Sequence, residues 1–226
     1  MTTESGTLQE AAWLARTLGR GDLSPFSADD MQAIAAVIGA ERAPAGTVLM
    51  TQAAPMPFIG LIRAGRVELS RRQGARRVVL QVLREGDVFG DIPFLCEMPP
   101  PFSARTVTDV AYVRIEGDDL LRIIQTNPSV CHRMMFSLAS RLQRTQRRLL
   151  EVTRADLRTQ IVALLLDETE DRQTVVSLSQ RTIAEMLGAS RQRVNQILRG
   201  LERQGTVSLS YGRVDVLDRT ALSTAV

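Results

Sequence analysis

Between Leu178 and Arg199 the chain spells two short helices on either side of a single glycine, and few folds can hold such a pair. Ser179 suits a helix N-cap, because its hydroxyl can accept from a first-turn N–H that the helix itself leaves without a partner. Ile183, Ala184 and Leu187 then form one apolar stripe, and Gly188 supplies the permissive backbone that turns the chain. Ser190 caps a second helix with the stripe Val194, Ile197, Leu198 and Leu201, which leaves Arg191, Gln192, Asn195, Gln196 and Arg199 on the polar side. Those residue types read base edges. Arg donates two hydrogen bonds to guanine O6 and N7, Gln pairs with adenine N6 and N7, and further Arg side chains neutralise phosphates. A merely solvated face would hold Lys and Glu equally well, yet the only Glu on this helix is Glu202, near its far end. The segment reads as a helix-turn-helix armed for DNA.

Charge supports that reading through its distribution rather than its total. The formal net charge is only +3, but the 28 basic residues bunch at Arg141, Arg144, Arg147, Arg148, Arg154 and Arg158, and again at Arg181, Arg191, Arg193, Arg199 and Arg203. With 226 residues and 44% hydrophobic content, two modest domains fit better than one large one. No apolar run of about 18 residues exists to cross a bilayer, and the start of the chain, with Glu4 and Glu10, has no secretory pattern, so a cytoplasmic protein without a membrane partner is expected. Cys96 and Cys131 lack metal-ligand spacing, and the solitary His132 offers no partner for a catalytic triad. Neither a metal site nor catalytic residues are expected, and the chain does not read as an enzyme.

Upstream, Leu8 to Leu18 reads as an amphipathic helix carrying Trp13, and Ser27 caps a second one running to about Ile38. From Gly46 to Ile115 the period shortens: Thr47 to Met50, Phe58 to Arg63, Val67 to Ser70, Val78 to Val82, Ser103 to Val107 and Ala111 to Ile115 are apolar or alternating segments, several of them bounded by Gly65, Gly74, Gly86 or Gly90. That is the pattern of a small β-roll. Helical periodicity returns from Asp118, and Asn127-Pro128 opens a long helix from about Ser129 to Arg154. Along it Cys131, Met135, Leu138, Leu142, Thr145, Leu149 and Val152 alternate steps of four and three, the seam of a parallel coiled coil between two identical subunits. A further helix, Asp156 to Glu168, precedes the helix pair, and Thr206 to Leu217, turning at Tyr211-Gly212-Arg213, reads as a hairpin wing. The expected fold class is α+β: a sensory roll with its helices over 1–126, a dimerisation helix over 127–155 and a winged helix-turn-helix over 156–226.

This order of parts resembles the cyclic-AMP receptor protein (CRP/FNR) family over essentially residues 20 to 220. Pro44-Ala45-Gly46, Gly65-Arg66-Val67, Gly86-Asp87-Val88-Phe89-Gly90-Asp91 and Ser103-Ala104 are similar to its sensory, cyclic-nucleotide-binding domain. Asn127-Pro128, Arg141-Leu142-Gln143 and Leu187-Gly188-Ala189-Ser190-Arg191 are similar to its dimer helix and reading head. The resemblance implies a homodimeric transcription regulator on a two-fold symmetric double-stranded operator, with RNA polymerase as a further partner if it activates. Matching positions assign Arg191, Gln192 and Gln196 to bases, and Ser179, Arg181, Ser190, Arg193 and Arg199 to phosphates. Gln192 and Gln196 replace a Glu and an Arg of the cyclic-AMP receptor protein, so its best-known half-site is not the expected operator.

The resemblance also points to an effector pocket at Gly90, Asp91, Phe102, Ser103, Arg105, Thr145 and Gln146. Relatives that bind cyclic AMP use a Gly-Glu pair at a helix start and an Arg-Ser pair after a loop. Here Gly90-Asp91 stands for the first and Ser103 for the Ser, but Phe102 occupies the place of the phosphate-pairing Arg. Losing such a bidentate contact costs on the order of 2 to 3 kcal/mol. Arg105, two residues further along the strand, is the substitute cation. Thr145 matches the hydroxyl that reaches adenine, whereas Gln146 replaces a Ser. The pocket is thus expected to be degenerate, with cyclic AMP a weak candidate cofactor. Three alternatives stand beside it: a regulator without effector, a thiol-responsive one using Cys131 near the helix start, and a cyclic-nucleotide-binding regulatory subunit that does not touch DNA.

Overall fold

A computed structural model describes residues 11–13, 27–74, 76–154, 156–169 and 174–224. The expected helix over 8–18 lies outside them except for Ala11 to Trp13, which are helical. The chain divides into two compact units, residues 1–76 with 80–141, and residues 77–79 with 142–226.

In the first unit, α1 (Ala28–Ala35) begins at a reciprocal cap: the Ser27 hydroxyl accepts from Asp30 N–H at 3.1 Å while the Asp30 carboxylate accepts from Ser27 N–H at 2.9 Å. The same carboxylate accepts from Asn127 Nδ2 at 3.1 Å and from Ser129. Burial pushes the Asp30 carboxyl up, but these donors overcome it and hold its pKa at about 2. The helix ends at Ala35 rather than near Ile38, because Ile38 already opens β1 (Ile38–Ala43) opposite Ile115. Ala36, Val37 and Ile38 prolong the apolar pattern, so periodicity alone could not mark this boundary.

The roll consists of two antiparallel sheets. One has the order β1-β8-β3-β6, with β3 at Phe58–Ala64, β6 at Val88–Phe89 and β8 at Val110–Glu116; the other has the order β2-β7-β4-β5, with β2 at Val48–Met50, β4 at Val67–Gln73, β5 at Arg76–Leu83 and β7 at Ser103–Thr106. Alternation along β3 and β8 places successive side chains in two cores. Ile62, Val110 and Tyr112 join Met50, Val67, Leu69 and Phe89 between the sheets. Leu61 and Val113 face outward instead, against Ile34, Ile38, Ile123 and Val130. Burial on both faces explains why these strands read as nearly continuous apolar runs. Gly60 lies under the Phe89 ring, where a Cβ would collide with it. Phe89 in turn packs edge-on to Tyr112, ring centroids 5.6 Å apart.

Of the N-terminal segment, Ala11 is fully buried in the outer core, and Trp13 Nε1 donates to Glu85 at 3.3 Å. A short helix, α2 (Asp91–Leu95), leaves the roll after Gly90, and α3 (Gly117–Thr126) leads into the long helix α4 (Pro128–Arg154). In the second unit, α5 (Leu157–Glu168) is capped by Asp156, whose side chain accepts from Thr159 N–H at 2.8 Å. It buries Ile161, Val162, Leu164 and Leu165. Then come β9 (Val175–Val176), α6 (Gln180–Leu187), α7 (Arg191–Arg203), the hairpin β10 (Val207–Ser210) and β11 (Arg213–Val216), and α8 (Arg219–Thr224). The three strands form one sheet in the order β10-β11-β9.

Candidate functional site

The helix pair forms where the sequence places it. Ser179 Oγ accepts from Thr182 N–H at 3.0 Å, Gly188 ends α6 in the left-handed region at φ 63°, and Ser190 Oγ accepts from Arg193 N–H at 3.3 Å. Val194, Leu198 and Leu201 are fully buried, which fixes the rotation of α7. Arg191, Gln192, Arg193, Asn195, Gln196 and Arg199 are all exposed. At about 100° per residue, Arg191, Gln192, Asn195, Gln196 and Arg199 fall within an arc of roughly 140°, while Arg193 lies about 60° beyond its Gln196 edge. A single face of donors and amides is thus presented, and neither α6 nor α7 carries an acidic residue in its first turn to oppose an approaching phosphate.

Two of the predicted phosphate ligands are engaged within their own helices. Arg181 Nε donates to Glu185 at 2.9 Å, and Arg199 Nη1 donates to Glu202 Oε2 at 2.8 Å. Glu202 also accepts from Leu209 N–H of β10 at 2.9 Å through Oε1. These donors, the Leu209 N–H first and Arg199 second, hold its carboxyl below the usual range. In the sequence Glu202 registers only as a lone acid near a helix end; its bond to a strand seven residues on leaves no local signature. The wing turns at Tyr211-Gly212, with Gly212 at φ 71° and Tyr211 fully exposed, and Arg213 Nε lies 3.3 Å from Asp215.

The residues assigned to the effector pocket fall on both units: Gly90, Asp91, Phe102, Ser103 and Arg105 on the first, Thr145 and Gln146 on the second. Gly90 caps α2 at φ 87°, and a Cβ there would press on the Phe58 carbonyl and Met56. Asp91 is only 3% exposed, and both its carboxylate oxygens face the Arg141 guanidinium from α4, whose Nη1 also donates to the Val88 carbonyl at 3.3 Å. Arg141 was legible as part of a family motif but not as the partner of Asp91. Phe102 is half-buried against the core between the sheets. Ser103 Oγ accepts from Gln52 N–H at 2.9 Å. Arg105 is exposed on β7, where its Nη1 donates to the Gly46 carbonyl at 2.5 Å. Thr145 and Gln146 belong to the second unit and are exposed.

Along α4, Met135, Leu142, Thr145 and Leu149 are exposed, while Cys131 and Leu138 are half-buried. The side chain of Val152, the last seam position, lies outside the described residues. Leu142 and Leu149 are 58% and 63% exposed, and Phe136, off the seam, is exposed as well. His132 and Cys96 are exposed. Among the described residues no cluster of three or more His, Cys, Asp or Glu could hold a metal, and no helix is long and apolar enough to cross a membrane.

Comparison with known proteins follows the same division. Residues 40–127 match the cyclic nucleotide-binding domain family and residues 143–225 the Crp-like helix-turn-helix domain family. The HTH-type transcriptional regulator Cmr of Mycobacterium tuberculosis is 34% identical over 215 residues, covering 95% of this chain and 87% of that protein. A CRP-like cAMP-activated global transcriptional regulator of the same organism is 27% identical over 80% of this chain and 84% of its own length. Among solved structures, FixK2 of Bradyrhizobium japonicum superposes with a TM-score of 0.74 at 19% identity, covering 83% of this chain and 96% of that one, a likeness of fold.

Proposed function

From the premise that the chain belongs to the CRP/FNR family of transcription regulators, we propose that it acts as a homodimer on a two-fold symmetric operator, with α7 of each subunit in a major groove. Membership makes it a DNA-binding regulator and not an enzyme, and the Crp-like helix-turn-helix sets aside a regulatory subunit that leaves DNA alone. The finer reading rests on one observation: a single exposed arc of α7 carries Arg191, Gln192 and Gln196 and contains no acid until Glu202. Arg191 takes a guanine, Gln192 and Gln196 favour adenine, and Ser179, Arg181, Ser190, Arg193 and Arg199 hold phosphates. The uncovered seam of α4 meets its copy in the second subunit, and RNA polymerase is the further partner where the protein activates.

The sensory roll works with little or no help from cyclic AMP. Phe102 packs into the core where a phosphate-binding cation is needed, Arg105 is turned to a backbone carbonyl, and Asp91, the candidate ribose acceptor, is engaged by Arg141. An effector-free or differently triggered regulator accords with this arrangement. Selection of duplexes from a random pool tests the DNA reading. The winners should contain inverted repeats, and Arg191→Ala should relax preference at one position per half-site at a cost of about 1 to 3 kcal/mol. Winners without symmetry, or equal losses on selected and random duplexes, would refute it.

A further inference from the structure

Glu202 is the only acidic residue of the recognition helix, and it holds two elements at once. Oε2 takes the Arg199 guanidinium and Oε1 takes the Leu209 N–H of the wing, with the Glu202 side chain 29% exposed and that of Arg199 62%. We propose that Glu202 is a specificity-determining positioning residue, which withholds Arg199 from DNA phosphates until the recognition helix is seated and ties the wing to that helix. The proposal rests on the reading of Arg199 as a phosphate ligand.

The physical case is a competition between two anions for one cation. A guanidinium bound to a carboxylate must leave it before it can neutralise a phosphate and release a counterion. Because Oε1 is fixed by a backbone donor in β10, the carboxylate cannot follow Arg199 when it swings outward, so the pair must break rather than slide. On random DNA only the exposed phosphate itself offsets that rupture, the carboxylate keeps Arg199, and the complex forms one phosphate contact fewer. On an operator, base contacts from the start of α7 hold the helix in the groove, and the transfer of Arg199 to the backbone becomes favourable. The carboxylate therefore weakens non-specific binding more than specific binding.

Glu202→Gln separates the two tasks, since the amide oxygen still accepts from Leu209 while the charge is gone. With a labelled random-sequence duplex, binding should tighten by about threefold to tenfold and the salt dependence should steepen by about one phosphate equivalent. A duplex selected from a random pool should gain less. In an Arg199→Ala background the same substitution should change neither quantity. Exchange of the Leu209 amide hydrogen should remain slow in Glu202→Gln and accelerate at least about tenfold in Glu202→Ala. An unchanged salt slope, or an equal gain without Arg199, overturns the proposal, and unaltered Leu209 exchange in Glu202→Ala overturns the wing tie. If the wild-type protein shows no salt-sensitive duplex binding, the DNA reading itself fails and this inference falls with it.

Discussion

The reading head and the sensory roll carry similar arginines and carboxylates yet dispose of them in opposite ways. On α7 the side chains that would meet DNA stand in water with their donors turned outward, and only Arg199 is internally engaged. In the roll, Asp91 is nearly inaccessible and matched by Arg141, and the position that should present a cation to a nucleotide holds Phe102. A surface that binds a partner must keep its polar groups available, since each internal bond has to be broken before an external one forms. By that measure the exposed face of α7, Arg199 apart, is free of the internal bonds that Asp91 and Arg141 make in the roll.

The largest effect is expected at the seam of α4. Leu142→Asp would put a charge into each half of the proposed subunit interface, and the expected result is monomers by light scattering with DNA affinity reduced by more than about a hundredfold. A wild-type protein that is monomeric at micromolar concentration would rule out the two-fold operator. Next in size is Arg141→Met, which strands the buried Asp91 carboxylate and should lower the unfolding free energy of the roll by about 3 kcal/mol. If urea denaturation shows less than about 1 kcal/mol, the pair is not the internal substitute for a ligand that the geometry suggests.

Phe102→Arg sharpens the contrast from the ligand's side. Calorimetry should find cyclic AMP bound about tenfold to a hundredfold more tightly than by the wild type, whose residual binding should depend on Arg105. Submicromolar binding by the unmodified protein that survives Arg105→Ala would instead show an intact pocket. The smallest effect belongs to Asp30. Its folded pKa lies below the unfolded value, so its contribution is present above about pH 4 and is lost as the pH falls toward 2. With allowance for water near the site, this amounts to about 1 kcal/mol. It should appear as a pH-dependent difference in denaturation midpoint between wild type and Asp30→Asn that closes in acid.

What could be read from the sequence was local. Ser179, Gly188 and Ser190 act on backbone within three or five residues, and the heptad steps and wing turn are equally short-ranged. The strands β6 and β9, two residues each, are too short to carry a period, and β1 exposes its four central residues so that no alternation shows. The Arg141–Asp91 pair joins residues 50 apart, and the Ser103–Gln52 bond residues 51 apart. Such partners are chosen by sheet register and by how the long helix meets the roll, neither of which leaves a mark in neighbouring letters. The same division holds in the candidate site: the exposed polar face of α7 was spelled out, and the pairing of Asp91 with Arg141 was not.

The fit of Gly60 beneath Phe89 has an evolutionary corollary. Phe89 packs against Phe58 and Tyr112, so even a methyl group at position 60 overlaps the ring in its present place. The reverse order is open, because a smaller residue at 89 would first leave a void that a side chain at 60 could then fill. Lineages descending from such a sequence can exchange the pair only along one path, and among its relatives these two sites should drift together and never singly from the glycine side.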